Sequence, residues 1–268
     1  LMSGTPATET PLGLYHQFVL SNHTPFPHTN FYQFFQKWGI PSPIAINGRM
    51  VETYKKSKPG LLEVAAPYTV TLTQDDAGIE YQAEDILHEV KLTDTTKAGL
   101  KRLVDDELLH INGEVIPVES DMQERVTLHQ LESGALKIPD GRIIVAKNTE
   151  VVDYILETFR DYDDVALMCH FHSTREKLQK HFKHAHIYSS TAQAEGVDLS
   201  HYRYLVIVNS GYSGAKFIQR RERGTNINRT TPAEVHHIVT DGGVSADVYK
   251  MTSQKLSFNL EAYRKMKK

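Results

Sequence analysis

The stretch YLVIVNSGYSGAKFIQRRERG, residues 204–224, decides how the second half of the chain folds. Its first five residues are all apolar or aromatic, which is typical of a strand buried on both faces in a parallel sheet. Serine and glycine then interrupt the strand. The residues from about Ser213 to Arg223 are expected to form a helix. A buried strand followed directly by a helix indicates an α/β fold.

The same alternation of strands and helices covers the neighbouring sequence from about Gly141 onward. Apolar residues at helical spacing predict a helix over about 151–159. Ser173 and Glu176 form a capping-box pattern at the start of a further helix. Buried strands are predicted at VALMC (165–169), HIYSS (186–190) and VHHIV (235–239), with a last helix from about Ser245. The sequence therefore predicts a parallel sheet with flanking helices.

The sequence upstream of this region is more irregular. Apolar residues at helical spacing predict a helix over about 95–109, a hairpin is expected around Asn112 and Gly113, and a helix is expected to end at Gly134. Aromatic residues cluster in NFYQFFQKWG (30–39). Several of them have the spacing of a buried helical stripe, so packing between domains is the favoured interpretation. Stacking on nucleic-acid bases is the alternative.

The composition excludes several classes of protein. Hydrophobic residues make up 40% and charged residues 24% of the chain, as in globular proteins. There is no apolar run long enough for a bilayer, no signal peptide, and one cysteine, Cys169, so we expect a cytoplasmic protein without a membrane partner. The net charge of −3 neither supports nor excludes nucleic acid. Cys169 and the histidines near it match no closed set of zinc ligands, and no metal site is predicted.

Polar residues follow two of the predicted strands, where ligands collect in parallel sheets. The loop STAQAEGVDLS (190–200) offers Glu195, Gly196 and Asp198. The helix that follows residues 204–208 carries Gln219 with Arg220, Arg221 and Arg223. Guanidinium groups this close together repel one another and suit a polyanion such as a phosphate chain. A solvated basic helix face is the alternative.

Four short stretches, in this order, resemble motifs of superfamily 2 helicases. SGTP (3–6) is similar to motif III, VALMCHFHSTREKL (165–178) to motif IV, AEGVDLS (194–200) to motif V and FIQRRERG (217–224) to motif VI. Four motifs in order are more specific than any one of them. The chain thus resembles the C-terminal part of such a helicase, of the Swi/Snf-like or phage type.

The resemblance implies a fold, a domain division and a substrate class. It implies a RecA-like parallel sheet with flanking helices over 136–268 (the helicase C-terminal domain), a mostly helical inter-domain region over 21–135, and the end of a first RecA-like domain over 1–20. It further implies ATP and Mg²⁺ as cofactors, both bound mainly by an N-terminal RecA-like domain. The implied partner is DNA, single- or double-stranded, or RNA.

The resemblance also assigns roles to individual residues. Arg223, with Gln219, matches the arginine that reaches the terminal phosphate of ATP. Because Asn226 stands where the family has a second arginine, Arg220 or Arg221 is expected to supply that charge. Glu195, Gly196 and Asp198 match residues of the nucleotide cleft. The expected nucleic-acid contacts are Ser3, Thr5, His170, His172, Ser173, Ser190 and Thr191.

The sequence contains no GKT or GKS, the loop that holds phosphates and magnesium. The acidic run Asp105–Glu107 is interpreted as a solvated helix surface. We therefore expect a chain truncated upstream that does not hydrolyse ATP unaided, although the complete protein would be an ATP-dependent helicase. Two alternatives stay open at this stage: a non-catalytic RecA-like module that binds nucleic acid, and a nucleotide-binding domain of a non-helicase ATPase.

Overall fold

A computed structural model of the chain describes residues 10–46, 48–70, 76–182, 186–190, 197–225 and 229–254. The chain divides into two compact units, Leu1–Ala77 (unit 1) and Gly78–Lys268 (unit 2). The three-segment division inferred from the sequence stays a prediction. Within the described ranges, no helix has the length and apolar character needed to cross a membrane.

Unit 1 consists of short helices and two small antiparallel strand pairs around an aromatic core. Asn30 begins its main helix, because its side chain accepts the backbone N–H of Gln33. Phe34 is fully buried, and Phe31, Phe35 and Trp38 pack against the same core. The interpretation of these aromatic residues as a packed helical stripe is confirmed. The helices are α1 (Leu14–Phe18), α2 (Phe31–Trp38) and α3 (Gly60–Ala65), with 3₁₀ turns at Pro11–Gly13 and Ala66–Tyr68; strand β1 (Gly39–Ile40) pairs with β4 (Lys56–Ser57), and β2 (Pro43–Ile46) with β3 (Arg49–Glu52).

Unit 2 is built on a sheet in which five strands lie in parallel. The order across the sheet is β11-β10-β12-β13-β5, and the strands are β5 (Ala83–Val90), β10 (Val165–Cys169), β11 (His186–Ser189), β12 (Tyr204–Val208) and β13 (Ala233–Thr240). The helices that accompany them are α6 (Glu150–Phe159), α7 (His172–His181), α8 (Gly214–Arg221) and α9 (Val244–Ser253). This α/β arrangement, a parallel sheet with flanking helices, confirms the predicted fold class.

The central strands are apolar because both faces of the sheet are covered. Every residue of β10 and β12 is buried. Successive residues point to opposite faces, so Leu167 joins a core with Ile155 and Leu178 of α6 and α7, whereas Met168 joins a second core with Leu199. Burial on both faces stabilises the sheet by about 25 cal/mol for each Å² of apolar surface removed from water.

A smaller layer precedes the central strands in unit 2. It contains α4 (Asp94–Asp106), β6 (Leu108–Ile111), β7 (Glu114–Pro117), α5 (Asp121–Glu132), β8 (Ala135–Lys137) and β9 (Ile143–Val145). The predicted hairpin is confirmed: β6 and β7 are joined by Asn112 and Gly113, both with positive φ. The predicted extension of α4 to residue 109 is wrong. Glu107 adopts a left-handed conformation and ends the helix, and Leu108 already belongs to β6.

The capping box predicted at Ser173 is also wrong. Helix α7 begins at His172, so that Ser173 is its second residue, and the N-cap residue Phe171 provides no side-chain cap. The Ser173 hydroxyl is fully buried and donates instead to Oε1 of Gln130, at 3.0 Å. A tertiary contact with α5 thus replaces the local one that the sequence pattern indicated.

The buried carboxylate of Glu132 joins α5 to the start of α9. It accepts the backbone N–H of Val244 at 2.5 Å, the backbone N–H of Ser245 at 3.0 Å and the Ser245 hydroxyl at 2.6 Å. Burial raises the pKa of Glu132, and the Ser245 hydroxyl acts in the opposite direction. The carboxylate therefore caps the N-terminus of a helix from outside that helix.

We predict that Glu132→Ala lowers the free energy of unfolding by about 3 kcal/mol, because buried donors at the start of α9 lose their acceptor. Urea denaturation followed by circular dichroism measures this change. Glu157→Ala is the matched control, since Glu157 is exposed on α6, and it should change the free energy by less than about 0.5 kcal/mol. Equal effects of the two substitutions would contradict the assigned role.

Candidate functional site

The carboxyl ends of three neighbouring strands meet at one edge of the sheet. His170 follows β10, Ser190 follows β11 and Asn209 follows β12. Backbone hydrogen bonds continue across this edge, from His170 N to Val208 O at 3.3 Å and from Ser190 N to Cys169 O at 2.8 Å. Two of the residues predicted to contact nucleic acid, His170 and Ser190, therefore lie at the sheet edge where ligands bind in parallel sheets.

Asn209 ties this edge to α5. Its backbone is left-handed, with φ of 58°, a conformation that asparagine tolerates better than most residues. Its side-chain oxygen accepts the Ser133 hydroxyl at 2.7 Å, and its amide donates to the carbonyl of His129 at 3.2 Å. The end of β12 is thereby fixed to the C-terminal part of α5.

Arg220 points into unit 2 rather than into solvent. Its side chain is 1% exposed, and Nε donates to the carbonyl oxygen of Ser190 at 3.2 Å. Neither terminal guanidinium nitrogen has a hydrogen-bond partner among the described residues, and the same holds for the Ser190 hydroxyl. Burial lowers the pKa of Arg220 to about 10. A cation in such surroundings favours the approach of an anion.

Gly211 leaves the space that Arg220 and His170 occupy. A Cβ atom at this position would lie 2.8 and 2.9 Å from the two terminal nitrogens of Arg220 and 3.0 Å from Cε1 of His170. A larger residue would therefore displace the guanidinium group or the imidazole ring. Gly211 thus allows α8 and the end of β10 to bring these two side chains together.

His170 is held in its neutral form. Burial, and then the positive charges of Arg220 and Lys216, lower the pKa of His170 to about 3. Its Nδ1 atom is buried and has no hydrogen-bond partner among the residues that the structure describes. The ring packs edge-on against Tyr212, with the centroids 5.8 Å apart. His170 can therefore form a hydrogen bond with a ligand as a neutral imidazole, but it contributes no charge near neutral pH.

Arg221 lies beside β5, the outermost strand of the sheet next to β13. Its guanidinium group donates to Asp85 at 2.6 Å, to Glu222 at 2.7 Å and to the carbonyl oxygen of Ala83 at 2.7 Å. Asp85 also contacts Nε2 of the buried His237, at 2.9 Å. Hydrogen bonds from His237 and Arg221 outweigh burial and lower the pKa of Asp85. Arg221 therefore fastens α8 to β5, and its predicted role toward a nucleotide stays a prediction.

Arg223 lies in the 3₁₀ turn Glu222–Gly224 that follows α8. Its carbonyl oxygen accepts the backbone N–H of Leu199 at 3.2 Å. Its side chain is partly buried, and its Nε atom has no hydrogen-bond partner in the described part of the chain. The contact with Leu199 joins the stretch that resembles motif VI to the stretch that resembles motif V. Gln219, on the preceding turn of α8, makes contacts of its own.

Asp198 is exposed next to this contact. Its Oδ1 atom accepts the backbone N–H of Ser200 at 2.8 Å. Hydrogen bonds from the hydroxyl and then from the backbone of Ser200 lower the pKa of Asp198. The loop is thereby fixed two residues after Asp198. Glu195, Gly196 and Thr191 of the same loop, and Ser3 and Thr5 near the beginning of the chain, lie outside the described residues.

The other residues predicted to contact nucleic acid have different surroundings. The His172 side chain is 60% exposed at the start of α7, and its Nδ1 atom is 3.3 Å from Oε1 of Glu176. Ser173, by contrast, is fully buried against Gln130. His172 is thus accessible to a partner, whereas Ser173 helps to hold α7 against α5.

Arg229 is a residue of this region that the sequence analysis did not single out. One of its terminal nitrogens donates to three carbonyl oxygens, those of Ser200 at 2.6 Å, Gly224 at 2.7 Å and Tyr202 at 3.0 Å. Burial lowers the pKa of Arg229. The arginine holds the end of the Asp198 loop beside the Arg223 turn. A single arginine in a polar segment gives no sequence signal of this role, because its partners are backbone atoms.

A groove of about 770 Å³ lies on unit 2, next to His170. Its walls are mostly apolar and come from the β6–β7 hairpin, from α5 and from the turn after β8. Leu109, Val126 and Ile138 contribute apolar surface, and Phe171 closes the end near β10. The groove is large enough for the side chains of a partner or for a small molecule.

The residues that could hold a nucleotide are cationic rather than acidic. The arginine nitrogens of Arg220 and Arg223 that have no partner within the described ranges suit phosphate oxygens. No group of three or more His, Cys, Asp or Glu side chains that could hold a metal ion occurs within the ranges that the structure describes. The described residues thus fit the phosphates of a nucleotide better than its magnesium ion.

Comparisons with known proteins give no match in sequence and a weak likeness in structure. No protein-family model matches the chain, and no curated protein matches it. Among solved structures, the crystal structure of the C-terminal part of the Fun30 ATPase domain is similar at a TM-score of 0.40 and 9% identity, covering 68% of this chain and 92% of that chain. A likeness at this level carries no information about activity.

We predict that the free energy of unfolding falls as the pH falls below about 6.5. Burial lowers the pKa values of His88, His129, His170 and His236, so below 6.5 the unfolded chain binds protons that the folded chain does not. For His170 this loss continues down to a pH of about 3, at up to about 1.4 kcal/mol per pH unit. Urea denaturation at pH about 7.5 and about 5.5 measures it.

Substitutions of two neighbouring histidines separate the contribution of His170. His170→Asn should reduce the pH dependence, because it removes one group whose pKa is lowered. His172→Asn, at a neighbouring histidine whose side chain is 60% exposed, serves as the matched control. The same pH dependence in the wild type and in His170→Asn would contradict the prediction.

Proposed function

We propose that the chain provides the second RecA-like domain of an ATP-dependent superfamily 2 helicase or translocase. The observation that carries the proposal is the hydrogen bond between Leu199 and Arg223. It brings together the two stretches that resemble motifs V and VI, which are 24 residues apart at these positions. Arg223, whose Nε atom has no partner among the described residues, lies beside the segment that leads into β12, and a guanidinium group placed in this way suits a phosphate chain.

In this proposal, Arg223 reaches the terminal phosphate of ATP across a cleft between two domains. A preceding RecA-like domain holds most of the ATP and its Mg²⁺, which together supply the phosphoryl group and neutralise its charge. Arg223 stabilises the additional charge that develops during transfer. Gln219 supports it from the preceding turn. Gly196 and Asp198, with Glu195, couple the nucleotide cleft to the nucleic-acid groove.

The surroundings of the three arginines favour Arg223 over its neighbours for this role. Arg221 is bound to two carboxylates and a backbone carbonyl. Arg220 is 1% exposed and holds the carbonyl of Ser190. Both therefore contribute to the frame on which Arg223 is presented, and Arg220 is the alternative source of the second charge.

The nucleic acid, DNA or RNA, is proposed to bind at the carboxyl ends of β10 and β11. His172 is the accessible residue of this group, and His170 and Ser190 lie behind it at the sheet edge. Ser173 positions α7 through Gln130. Ser3, Thr5 and Thr191 are proposed as further contacts on the basis of the resemblance alone.

A non-catalytic module that binds nucleic acid is the second candidate. The observation that favours it is the sequence itself, which contains neither GKT nor GKS. Such a module would keep the RecA-like fold and its strand-end loops, and its binding would not depend on ATP. Binding of oligonucleotides by the chain alone, without any effect of Arg223 substitutions in the complete protein, would favour this candidate.

We predict that Arg223→Ala reduces nucleic-acid-stimulated ATP hydrolysis by about a thousandfold, the lower end of the effect of an arginine that stabilises the transferred phosphoryl group. The measurement requires a protein that joins this chain to a domain with a phosphate-binding loop. The rate should fall at saturating ATP, because the arginine acts on the transition state.

Two controls keep this test specific. Arg102→Ala removes an exposed arginine of α4 and should leave the rate unchanged. Arg223→Lys keeps the charge but loses the forked geometry, and should restore only part of the rate. Near-normal hydrolysis by a correctly folded Arg223→Ala protein would refute the proposal.

A further inference from the structure

Residues 10–70 of unit 1 carry a local excess of positive charge that the proposed site in unit 2 does not use. Residues 10–70 contain five lysines and arginines but only two carboxylates, Glu52 and Glu63. Counted over the whole of unit 1, Leu1–Ala77, the same five cations are balanced by five carboxylates, so the excess is local to this part. The five cations are Lys37, Arg49, Lys55, Lys56 and Lys58.

One of the two carboxylates is occupied by the backbone. Oε1 of Glu52 accepts the N–H groups of Ser42 at 2.9 Å, Thr53 at 3.0 Å and Tyr54 at 3.4 Å. The hydrogen bond from Ser42 contributes most to lowering the pKa of Glu52. None of the ion pairs formed by the described residues involves a lysine of unit 1. Lys55 and Lys56 are exposed, and positively charged side chains at such positions attract a polyanion.

The lysines lie around the C-terminal end of α2. Nζ of Lys58 donates to the carbonyl oxygen of Lys37 at 2.7 Å. Nζ of Lys37 lies 5.3 Å from the centre of the Trp38 ring. Lys56 is exposed on β4, opposite Ile40 of β1, and Lys55 precedes it in the chain. Four cations are thus collected within one short strand pair and the helix end beside it.

Two tyrosines adjoin these cations. Tyr54 directly precedes Lys55 and has a left-handed backbone, with φ of 52°, which is an uncommon conformation for a bulky residue. Its ring packs against Phe35 at 4.8 Å and lies 6.4 Å from the ring of Tyr32. Tyr32 is 66% exposed although Phe31, Phe34 and Phe35 around it belong to the core or pack against it. Tyr54 thus connects the exposed ring of Tyr32 to Lys55, the first of the lysines that follow it in the chain.

We propose that this tyrosine–lysine surface, formed by Tyr32, Tyr54, Lys37, Lys55, Lys56 and Lys58, binds single-stranded nucleic acid. Lysines neutralise the phosphates, and a base stacks on the exposed ring of Tyr32, the combination by which single strands are held without sequence preference. A duplex hides the faces of its bases from such a ring. An acidic peptide would satisfy the lysines but would gain little from the tyrosines. The surface lies in unit 1 and does not depend on the function proposed for unit 2.

The test measures binding of fluorescein-labelled oligothymidylate to the full chain by anisotropy over a series of KCl concentrations. For the double variant Lys55→Gln/Lys56→Gln, the slope of log K against log [KCl] should become shallower by about 1.4, since each cation contributes about 0.7 for single strands. Lys97→Gln/Lys101→Gln, two exposed lysines of α4 in unit 2, should leave the slope unchanged. Circular dichroism verifies that the variants are folded.

A second substitution separates stacking from charge. Tyr32→Ala should weaken binding about tenfold without changing the salt dependence, and Tyr32→Phe should retain the affinity. Tyr68→Ala, at another exposed tyrosine of unit 1 (55% exposed), should have no effect. Arg102→Ala, at an exposed arginine of α4 in unit 2, should not alter this binding.

Three results would overturn the proposal. The first is an unchanged salt slope in the double lysine variant. The second is an equal loss of affinity for Tyr32→Ala and Tyr68→Ala. The third is displacement of the oligonucleotide by polyglutamate as effectively as by unlabelled oligothymidylate, because the surface would then bind any polyanion and the tyrosines would contribute nothing.

Discussion

Parallel pairing of β10, β11, β12 and β13 is the constraint on which the candidate site depends. Because parallel strands end at the same edge, the residues after β10, β11 and β12 meet there although they are distant in the chain. The burial of both faces of β10 and β12 sets this arrangement and leaves little freedom to change it. The site is therefore a consequence of the core, and the loops supply only its chemistry.

The sequence predicts the regular part of the fold well, since continuous apolar runs specify buried strands. Strands β10 and β12 and helices α6 and α9 lie within a residue or so of their predicted positions. Strand β5 was not predicted, because EDILHEV mixes charged and apolar residues as an edge strand does. The capping box at Ser173 was wrong because the Ser173 hydroxyl bonds to Gln130. The length of α4 was wrong because Glu107 has a left-handed backbone that ends the helix. Neither feature leaves a pattern in the local sequence.

The site is less accessible to sequence reasoning than the fold. Three nearby arginines indicate a polyanion, yet each has a different environment: Arg220 is buried beside Ser190, Arg221 is paired with Asp85, and Arg223 has an unpartnered atom. Adjacent helical residues point in directions about 100° apart, but the partner on each side depends on the tertiary structure. The contribution of Arg229 could not be predicted at all, because it binds only carbonyl oxygens.

The pairing of β5 with β13 has a consequence for the order of events during synthesis. Ala83 pairs with Ala233, so the two strands that meet are 150 residues apart. At translation rates of about 5–20 residues per second, β5 leaves the ribosome several seconds or more before its neighbour exists. During that interval the backbone N–H and C=O groups of β5 have no partner strand, and such an exposed edge is prone to pairing with other chains. The charged residues Glu84, Asp85 and Glu89, which spoil its apolar pattern, also discourage aggregation of the nascent polypeptide.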